Sequence, residues 1–326
     1  MRVFVYECVC AGGLGLDVPS SLLREGRAML AAIVEDLQRV ADVEVATLIA
    51  EEFAYQLGDV CHPTAAGSWS DGDRMFEAIA KDCAATLVIA PEFGGLLAGY
   101  SLRVLDAGGR LLGPLPNAIK LTADKLALAE FWRVKGTPHP WTDSLGQGDL
   151  ARIPMPCVLK PRHGAGSQAI YLTDDVHTAS RIAQAEDCEF LVQQYVAGQP
   201  ASVALLIGKA QMVPLAPARQ HLSNDGRFRY EGGSLPLPEQ LAQRATRLAL
   251  QAVAGIDGLQ GYVGVDLILG DDGRDFAIEI NPRLTTSYLG LRQLCEQNLA
   301  ELMLRIVQGE KIATPAWKAG EVSFQI

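Results

Sequence analysis

The sequence has few features of a membrane-bound or nucleic-acid-binding protein. No apolar run approaches the ~18 residues that a transmembrane helix needs, so we expect no membrane partner. Acidic residues outnumber basic ones by 38 to 28, and the formal net charge is -10. Because a nucleic-acid backbone attracts a basic surface, this balance argues against sequence-independent nucleic-acid binding.

Cysteine patterns and targeting signals are also scarce. The seven cysteines are odd in number and scattered, and no CxxC pair occurs. The opening stretch MRVFVYECVC lacks the basic region and cleavage site of a signal peptide, so we interpret it as a first strand. We therefore expect reduced thiols and a cytoplasmic location. The GK[ST] ending of a P-loop is missing, and the five histidines show no metal-ligand spacing.

The first ~115 residues alternate strand-like and helix-like segments, which predicts a parallel α/β domain. Strands are expected at 2–6, 43–49 and 85–91, and helices at 21–40 and 74–83. Ser20 or Ser21 would be the N-cap of the first helix. Ligands of parallel sheets sit at the carboxyl ends of strands. That rule gives four candidate substrate-binding residues: Glu7, Gly12, Gly13 and Glu92.

The later segments predict a second unit that contains a helix and a hairpin. One helix is expected over 117–136, with Thr122 as its N-cap. Two strands, 261–269 and 275–280, are expected to pair about the turn GDDGR, because Asp-Asp-Gly is a good turn sequence.

Polar residues interrupt the second hairpin strand at alternate positions. In FAIEINPRL, Glu279, Asn281 and Arg283 share one face of an extended chain, and hairpin pairing brings Asp266 close to the first two. Carboxylate and amide oxygens are ligands that Mg²⁺ prefers, with substrate phosphates completing the shell. We therefore predict a metal site, with Arg283 binding a phosphate or carboxylate. A set of structural ion pairs is the alternative.

Three upstream features point to a phosphate-bearing ligand. Lys160 closes the apolar strand PCVLKP, from which its ammonium group can reach a phosphate. The loop GAGSQ (164–168) follows at once, and its glycines let backbone N–H groups approach phosphate oxygens. The stretch QQYVAG (193–198) ends another strand, whose backbone is a candidate for binding adenine. Taken singly, the loop and this stretch would also fit an ordinary strand and turn.

The order of these elements resembles the ATP-grasp superfamily, over roughly residues 115–310. A lysine in a helix is followed by a Lys-Pro strand, a glycine loop, QQYVAG and then Asp…Glu-x-Asn. The resemblance implies an α/β fold in which two lobes clamp ATP behind an N-terminal parallel α/β domain. The expected parts are a pre-ATP-grasp domain (1–115), a small lobe (116–186) and a C-terminal lobe with the metal site (187–326).

The resemblance also implies roles for individual residues. Lys160 and Arg283 would act in catalysis, and Mg²⁺, or Mn²⁺ in its place, would be bound by Asp266, Glu279 and Asn281. The residues that would contact ATP are Lys125, Lys160, Gly164, Gly166, Ser167, Gln193, Gln194, Tyr195 and Val196.

Five motifs look more narrowly like the tyramine–glutamate ligase group of methanofuran and methylofuran biosynthesis. They are EGRAML (25–30), PEFGGLL (91–97), LTADKLAL (121–128), YEGGSLP (230–236) and INPRLTTSYLGLR (280–292). This resemblance implies ATP-dependent amide formation between a small-molecule carboxylate, glutamate, and an amine, tyramine or tyrosine, through an acyl phosphate. A homodimer is allowed as the assembly. The acceptor-side candidates are Arg219, Gln220, Tyr230, Gly232, Gly233, Thr285, Thr286, Ser287 and Tyr288.

Two alternatives stay open at this point. The same ATP site could serve other substrates, as in a peptide ligase or an enzyme that adds glutamyl tails. A nucleotide-binding regulator without turnover is the other alternative, although a pure binder need not keep the full set of Asp266, Glu279 and Asn281.

Overall fold

The structure is a computed structural model that describes residues 1–15, 18–53, 64–66, 69–145, 153–164, 169–185 and 188–325. These residues form three sheets. Among them, no helix is both long and apolar enough to cross a membrane.

The first sheet is parallel and lies in the N-terminal part of the chain. Its four strands have the order β3-β2-β1-β4. The strands are β1 (Arg2–Glu7), β2 (Glu44–Ala50), β3 (Thr64–Ala66) and β4 (Ala85–Ile89), and the helices are α1 (Ser20–Gln38), α2 (Trp69–Asp82) and α3 (Leu96–Asp106), with a short 3-10 turn at Phe93–Gly95. The predicted parallel α/β domain is thereby confirmed.

Helices on both faces of this sheet explain why its strands are apolar throughout. Val3 and Val5 of β1 pack in the core that contains α1, whereas Phe4 and Tyr6 point to the opposite core with α2 and α3. The predicted serine cap of α1 is wrong, because Pro19 is the N-cap residue and no side chain caps the helix.

The second sheet is small and antiparallel, with four strands in the order β5-β8-β6-β7. Its strands are β5 (Thr142–Ser144), β6 (Cys157–Pro161), β7 (Tyr171–Thr173) and β8 (Phe190–Gln194), and α6 (Val176–Ala185) packs on it. Cys157 and Leu159 of β6 bury their side chains in this small core, which leaves the alternate residues Val158 and Lys160 for the other face.

Two helices, α4 (Pro116–Ala123) and α5 (Lys125–Lys135), precede this sheet where one continuous helix was predicted. Asp124 separates them with an extended backbone, and its carboxylate accepts hydrogen bonds from the amides of Leu126 and Ala127. Asp124 is therefore the N-cap of α5. The predicted cap, Thr122, instead donates its hydroxyl to carbonyls of its own helix.

The third sheet has seven strands and carries the predicted hairpin. Its order is β14-β13-β9-β11-β12-β15, and β10 pairs with β9. The strands are β9 (Gln199–Ile207), β10 (Met212–Pro214), β11 (Ala218–Leu222), β12 (Tyr230–Leu235), β13 (Gly261–Leu269), β14 (Asp275–Asn281) and β15 (Val322–Gln325); the helices are α7 (Glu239–Val253), α8 (Tyr288–Leu294) and α9 (Leu299–Val307).

Helix α1 joins the first sheet to the third, because its apolar face shares a buried core with α8 and α9. At the end of α1, Asp36 accepts hydrogen bonds from the hydroxyl of Tyr288 at 2.6 Å and from the guanidinium of Arg292 at 2.5 Å. This buried polar contact fixes α1 against the start of α8. The division at 115/116 and 186/187 stays a prediction, and residues 186 and 187 lie outside the described part of the chain.

Candidate active site

The hairpin of β13 and β14 places the predicted metal ligands side by side. Asp266 is the direct neighbour of Glu279 across the pair, and the amide of Asn281 donates to Asp266 Oδ2 at 3.0 Å. The turn is closed by the amide of Gly270, which donates to the carbonyl of Arg274. The predicted hairpin is therefore confirmed, and one residue of register shift after Asp266 keeps the carboxylates together.

The carboxyl groups of Asp266 and Glu279 lie close together, and cations lie close to only one of them, Glu279. Burial and, to a smaller extent, the nearby Glu279 raise the pKa of Asp266 to about 8. Burial also raises the pKa of Glu279, but Lys125, Lys160 and Arg283 outweigh that effect and hold it below its ordinary value. Two carboxyl groups this close repel each other when both are ionised, which is the electrostatic setting that a divalent cation would relieve.

Lys160 lies on β6 of the small antiparallel sheet, and its side chain extends toward the hairpin of the seven-stranded sheet. Its side chain is only 4% exposed, and its ammonium group donates to Gln193 Oε1 at 3.0 Å. Gln193 is held in turn by Thr142 of β5, whose hydroxyl accepts from Nε2 at 2.8 Å. Burial lowers the pKa of Lys160 to about 8, so an anionic ligand beside it would be strongly favoured.

Lys125 lies at the start of α5, between Gly164 and the Glu279 carboxylate of the hairpin. Its ammonium group donates to the carbonyl of Gly164 at 2.7 Å and lies 3.8 Å from Glu279 Oε2. Gly166 and Ser167, the other predicted loop contacts, lie outside the residues that the structure describes.

The end of β8 offers one free backbone donor to a ligand. The amides of Gln194 and Tyr195 donate to the carbonyls of Trp141 and Pro156. Within the described chain, the amide of Val196 is the first in this stretch that has no hydrogen-bond partner. In the stretch predicted to bind adenine, the backbone groups that remain available are therefore the amide of Val196 and the carbonyls beside it.

A cavity of about 360 Å³ lies between the small sheet and the seven-stranded sheet, and its lining includes Lys160, Gln193, Val196 and the hairpin carboxylates but not Lys125 or Gly164. This volume suits a small-molecule ligand. The apolar residues of its lining, which we call the apolar end, lie with Tyr195 and Val196 and are Val158, Ile170, Leu222, Phe228, Leu267, Ile268 and Ile278. The polar part of its lining consists mainly of Asp266, Glu279, Asn281, Arg283 and the hydroxyl groups of residues 285–287.

Arg283 forms a buried ion pair with Glu92 of the N-terminal domain. Its Nε lies 2.9 Å from Glu92 Oε1, and its Nη2 donates to Oε2 at 3.2 Å. Glu92 thus acts behind the cavity wall, because Arg283 lines the cavity and Glu92 does not. This ion pair holds the segment after β4 against the segment after β14.

The predicted acceptor-side residues divide into two groups. Gln220, Tyr230, Thr285, Thr286 and Ser287 line the cavity. Gln220 also donates to Asp266 Oδ1 at 2.9 Å. The hydroxyl groups of Thr285 and Ser287 are 2.8 Å apart, and both contact the buried Tyr262 hydroxyl, so they form a fixed polar wall.

Several other candidates do not reach the cavity. Arg219 donates outward to Gln199, and the hydroxyl of Tyr288 is occupied by Asp36. Glu7 is buried beneath Gly26 of α1, whose missing side chain makes room for the carboxylate. The remaining candidates outside the cavity lining are Gly12 and Gly13, in the turn after β1, and Gly232 and Gly233, which pack against β15.

The sequence reasoning missed five polar or aromatic residues of the cavity wall: Ser21, Glu25, Ser202, Phe228 and Arg229. Ser21 and Glu25 are four residues apart on α1, so they share one face of that helix. Such i, i+4 spacing of polar residues on an otherwise amphipathic helix is the signal that could have found them.

This combination of a buried lysine, Lys160, with an apolar slot and an acidic hairpin between two sheets is typical of a nucleotide-dependent enzyme of the grasp type. Residues 122–287 match the ATP-grasp domain family and residues 43–119 match the pre-ATP-grasp 3 domain. The chain belongs to the ATP-grasp family, as its motifs predicted, and to its carboxylate–amine ligases. It is an ATP-dependent carbon–nitrogen ligase.

Three relatives of the chain are ligases. The chain is 32% identical over 230 residues to tyramine–L-glutamate ligase of Methanocaldococcus fervens, covering 69% of this chain and 67% of that protein. It is 38% identical over 126 residues to the enzyme of Methanocaldococcus jannaschii, covering 39% of each. D-alanine–D-alanine ligase of Anaeromyxobacter dehalogenans is 29% identical over 175 residues, or 50% of this chain and 55% of that one. The chain thus spans little more than half, or less, of the latter two relatives.

Solved structures share the fold over nearly the whole chain. An ATP-grasp superfamily protein from Archaeoglobus fulgidus has a TM-score of 0.74 at 24% identity, covering 97% of this chain and 90% of that one. Carboxyaminoimidazole ribonucleotide synthase from Aspergillus clavatus, complexed with ATP, has a TM-score of 0.70 at 18% identity, covering 96% and 78%. The predicted fold class is confirmed by these neighbours.

Proposed function

We propose that the protein joins glutamate to an aromatic primary amine, tyramine or tyrosine, in the synthesis of a methylofuran-type cofactor. The cavity itself carries the proposal, because it connects an apolar slot, an acidic hairpin and a charged wall in one continuous space. The similarity to tyramine–L-glutamate ligases supports the substrates. The reaction would pass through an acyl phosphate.

The hairpin residues suit a magnesium ion. No group of three His, Cys, Asp or Glu side chains is gathered in the described chain, but an amide completes the set here. Asn281 donates Nδ2 to Asp266, which leaves its Oδ1 free to join the carboxylates of Asp266 and Glu279 as hard oxygen ligands. Mg²⁺ held there would neutralise charge on the ATP phosphates, and Mn²⁺ fits the same oxygens.

The chain's own cations would position the reacting groups. Lys125 and Lys160 approach the hairpin from α5 and β6, where they can bind phosphate oxygens, and Arg283 can bind the substrate carboxylate. A carboxylate oxygen attacks the terminal phosphorus of ATP, and the bond from that phosphorus to ADP breaks. The amine nitrogen then attacks the acyl carbon, phosphate leaves with the C–O electron pair, and the nitrogen loses a proton.

Acidic side chains outnumber the Arg283 guanidinium in this part of the site, so a cationic group of a substrate can bind beside them. Glu92 pairs with Arg283, and Glu7 and Glu25 also lie within its electrostatic reach. Burial raises the pKa of Glu25, although Arg283 and Arg24 lower it in part. Within the described residues, the Glu25 carboxylate has no hydrogen bond or ion pair, so we assign it to the ammonium group of the amine substrate.

A second candidate is a ligase that uses an amino acid as the amine, as in a peptide ligase. The similarity to a D-alanine–D-alanine ligase favours it, since both the donor and the acceptor of that relative are amino acids. The wall of residues 285–287 could bind a second carboxylate through its hydroxyl groups.

Amine-dependent ADP formation tests the proposal. Purified protein is given Mg-ATP and glutamate, and ADP is measured with tyramine, tyrosine, D-alanine or L-alanine as the acceptor. We expect turnover with an aromatic amine and little with alanine, and mass spectrometry of the amide identifies the product. Turnover with alanine alone would support the second candidate, while nucleotide binding without amine-dependent ADP would contradict both. Light scattering on the same sample tests the homodimer.

A further inference from the structure

Residues 223–229, which connect β11 to β12, form a folded segment that we call the clasp. The backbone amide of Ser223 donates to the carbonyl of Arg229 at 2.8 Å, and its hydroxyl donates to the carboxylate of Asp225 at 2.7 Å. The carboxylate of Asp225 also accepts from the Arg227 amide at 3.1 Å and forms an ion pair with Arg229 at 2.6 Å. These contacts give the clasp a defined shape of its own.

The clasp belongs to the seven-stranded sheet, but it docks on β7 of the opposite sheet. The amide of Leu172 donates to the Gly226 carbonyl at 2.9 Å. Arg227 donates to the carbonyl of Ile170 at 3.3 Å, and its guanidinium carbon lies 3.9 Å from the centre of the Tyr171 ring. The clasp therefore bridges the two sheets that enclose the cavity, through two hydrogen bonds and one cation–π contact.

The residue after Arg227 turns an aromatic ring into the cavity. Phe228 has a φ of 49°, which is unusual for a residue with a side chain and is maintained by the surrounding contacts. Its ring lies nearly parallel to that of Tyr195, with centroids 6.2 Å apart, and both line the apolar end. Tyr195 directly precedes the free amide of Val196, so Phe228 stands at the predicted adenine position.

We propose that the clasp is a nucleotide-binding element, in which Phe228 covers the adenine and the Arg227–Tyr171 contact must open for nucleotide to enter or leave. The inference rests on the proposed position of ATP in the cavity, but not on the identity of the carboxylate or the amine. The clasp closes the adenine end, while the acceptor residues Tyr230 and Gln220 lie on the strands beside it.

Nucleotide release from the full-length protein tests the clasp. The probe is Mg-bound ADP that carries an N-methylanthraniloyl fluorophore on the ribose, chased with unlabelled ATP in a stopped-flow instrument. For Arg227→Ala, we expect release to be about 3- to 30-fold faster, with faster binding as well, because one partly buried cation–π contact and one hydrogen bond are lost. For Phe228→Ala, we expect an affinity loss of about 10-fold that resides in the release rate.

The matched control is Arg181→Ala, which removes an exposed arginine of α6, the helix on the small sheet, whose contact is with Thr178 of the same helix. It should leave both rates unchanged, and Phe228→Tyr should restore the release rate of the wild type. Circular dichroism confirms that each variant is folded, and Arg227→Lys or Tyr171→Leu replaces Arg227→Ala if that variant is not. Wild-type rates in the folded Arg227 and Phe228 variants would overturn the proposal, even if the substrates proposed above proved correct.

Discussion

Replacing Asp266 by asparagine should stabilise the metal-free protein while it removes the activity. Asp266 lies beside Glu279, and burial together with that neighbour raises its pKa from 3.8 to about 8. A carboxyl group whose pKa is raised on folding contributes stability that is complete below the unfolded pKa and lost as the pH rises through the folded pKa. The wild type should therefore lose stability between about pH 4 and about pH 8.

The magnitude follows from the same two pKa values. The ordinary pKa of Asp266 is 3.8, and stability falls as the pH rises above that value. At pH 7, this loss of stability amounts to at most about 4 kcal/mol. The lowered pKa of Glu279 has the opposite sign and offsets part of this cost. We expect a net gain of about 1 to 2 kcal/mol for Asp266→Asn at neutral pH, because the amide cannot ionise. Activity should fall at least about 100-fold, since charge stabilisation is lost.

Chemical denaturation across this pH range, with and without Mg-ADP, measures the effect. The matched control is Asp271→Asn, in the exposed turn of the same hairpin, which should change neither stability nor turnover. Mg-ADP should stabilise the wild type and the control, but not Asp266→Asn. A variant that is less stable than the wild type near pH 8, or that keeps its turnover, would refute the electrostatic argument.

Three further substitutions distinguish residues that bind a ligand from a residue that only stabilises the fold. Lys160→Met should weaken ADP binding about 10- to 100-fold by calorimetry, because a buried cation that faces the phosphates is lost; unchanged affinity would remove Lys160 from the phosphate site. Glu25→Gln should raise the KM of the amine about 10- to 100-fold and leave the KM of ATP unchanged, and an effect on ATP alone would contradict the assignment. Tyr288→Phe should cost about 1 to 2 kcal/mol of unfolding free energy, because the bond to Asp36 is lost, without changing any KM; a KM effect at full stability would return Tyr288 to the substrate side.

The hairpin was predictable because its signals are local. The turn sequence predicts the pairing of the two strands, and a period of two places Glu279 and Asn281 on one face. Asp266 lies opposite Glu279 only because of the register shift after Asp266, which the turn sequence does not encode. Lys160 was predictable for a similar reason, since a charged residue at the end of a buried strand needs a polar partner.

Features that depend on the packing of distant elements were not predictable. Asp124 interrupts a helical pattern that looks continuous, and its carboxylate serves both as a cap and as a partner of Arg162. Tyr288 follows three cavity residues but starts a helix, so its ring turns toward Asp36 on α1. The cavity position of Glu25 requires α1 to pack against the C-terminal part of the chain, which no local pattern encodes.

The transfer of oxygen from the carboxylate to phosphate tests the proposed reaction most directly. Glutamate labelled with oxygen-18 in its carboxylates is converted with Mg-ATP and the preferred amine, and the inorganic phosphate is analysed by phosphorus NMR. An acyl phosphate requires one labelled oxygen in each phosphate released, because the acyl C–O bond breaks when the amine attacks. Phosphate that is free of the label while the amide accumulates would contradict the reaction that we propose for this site.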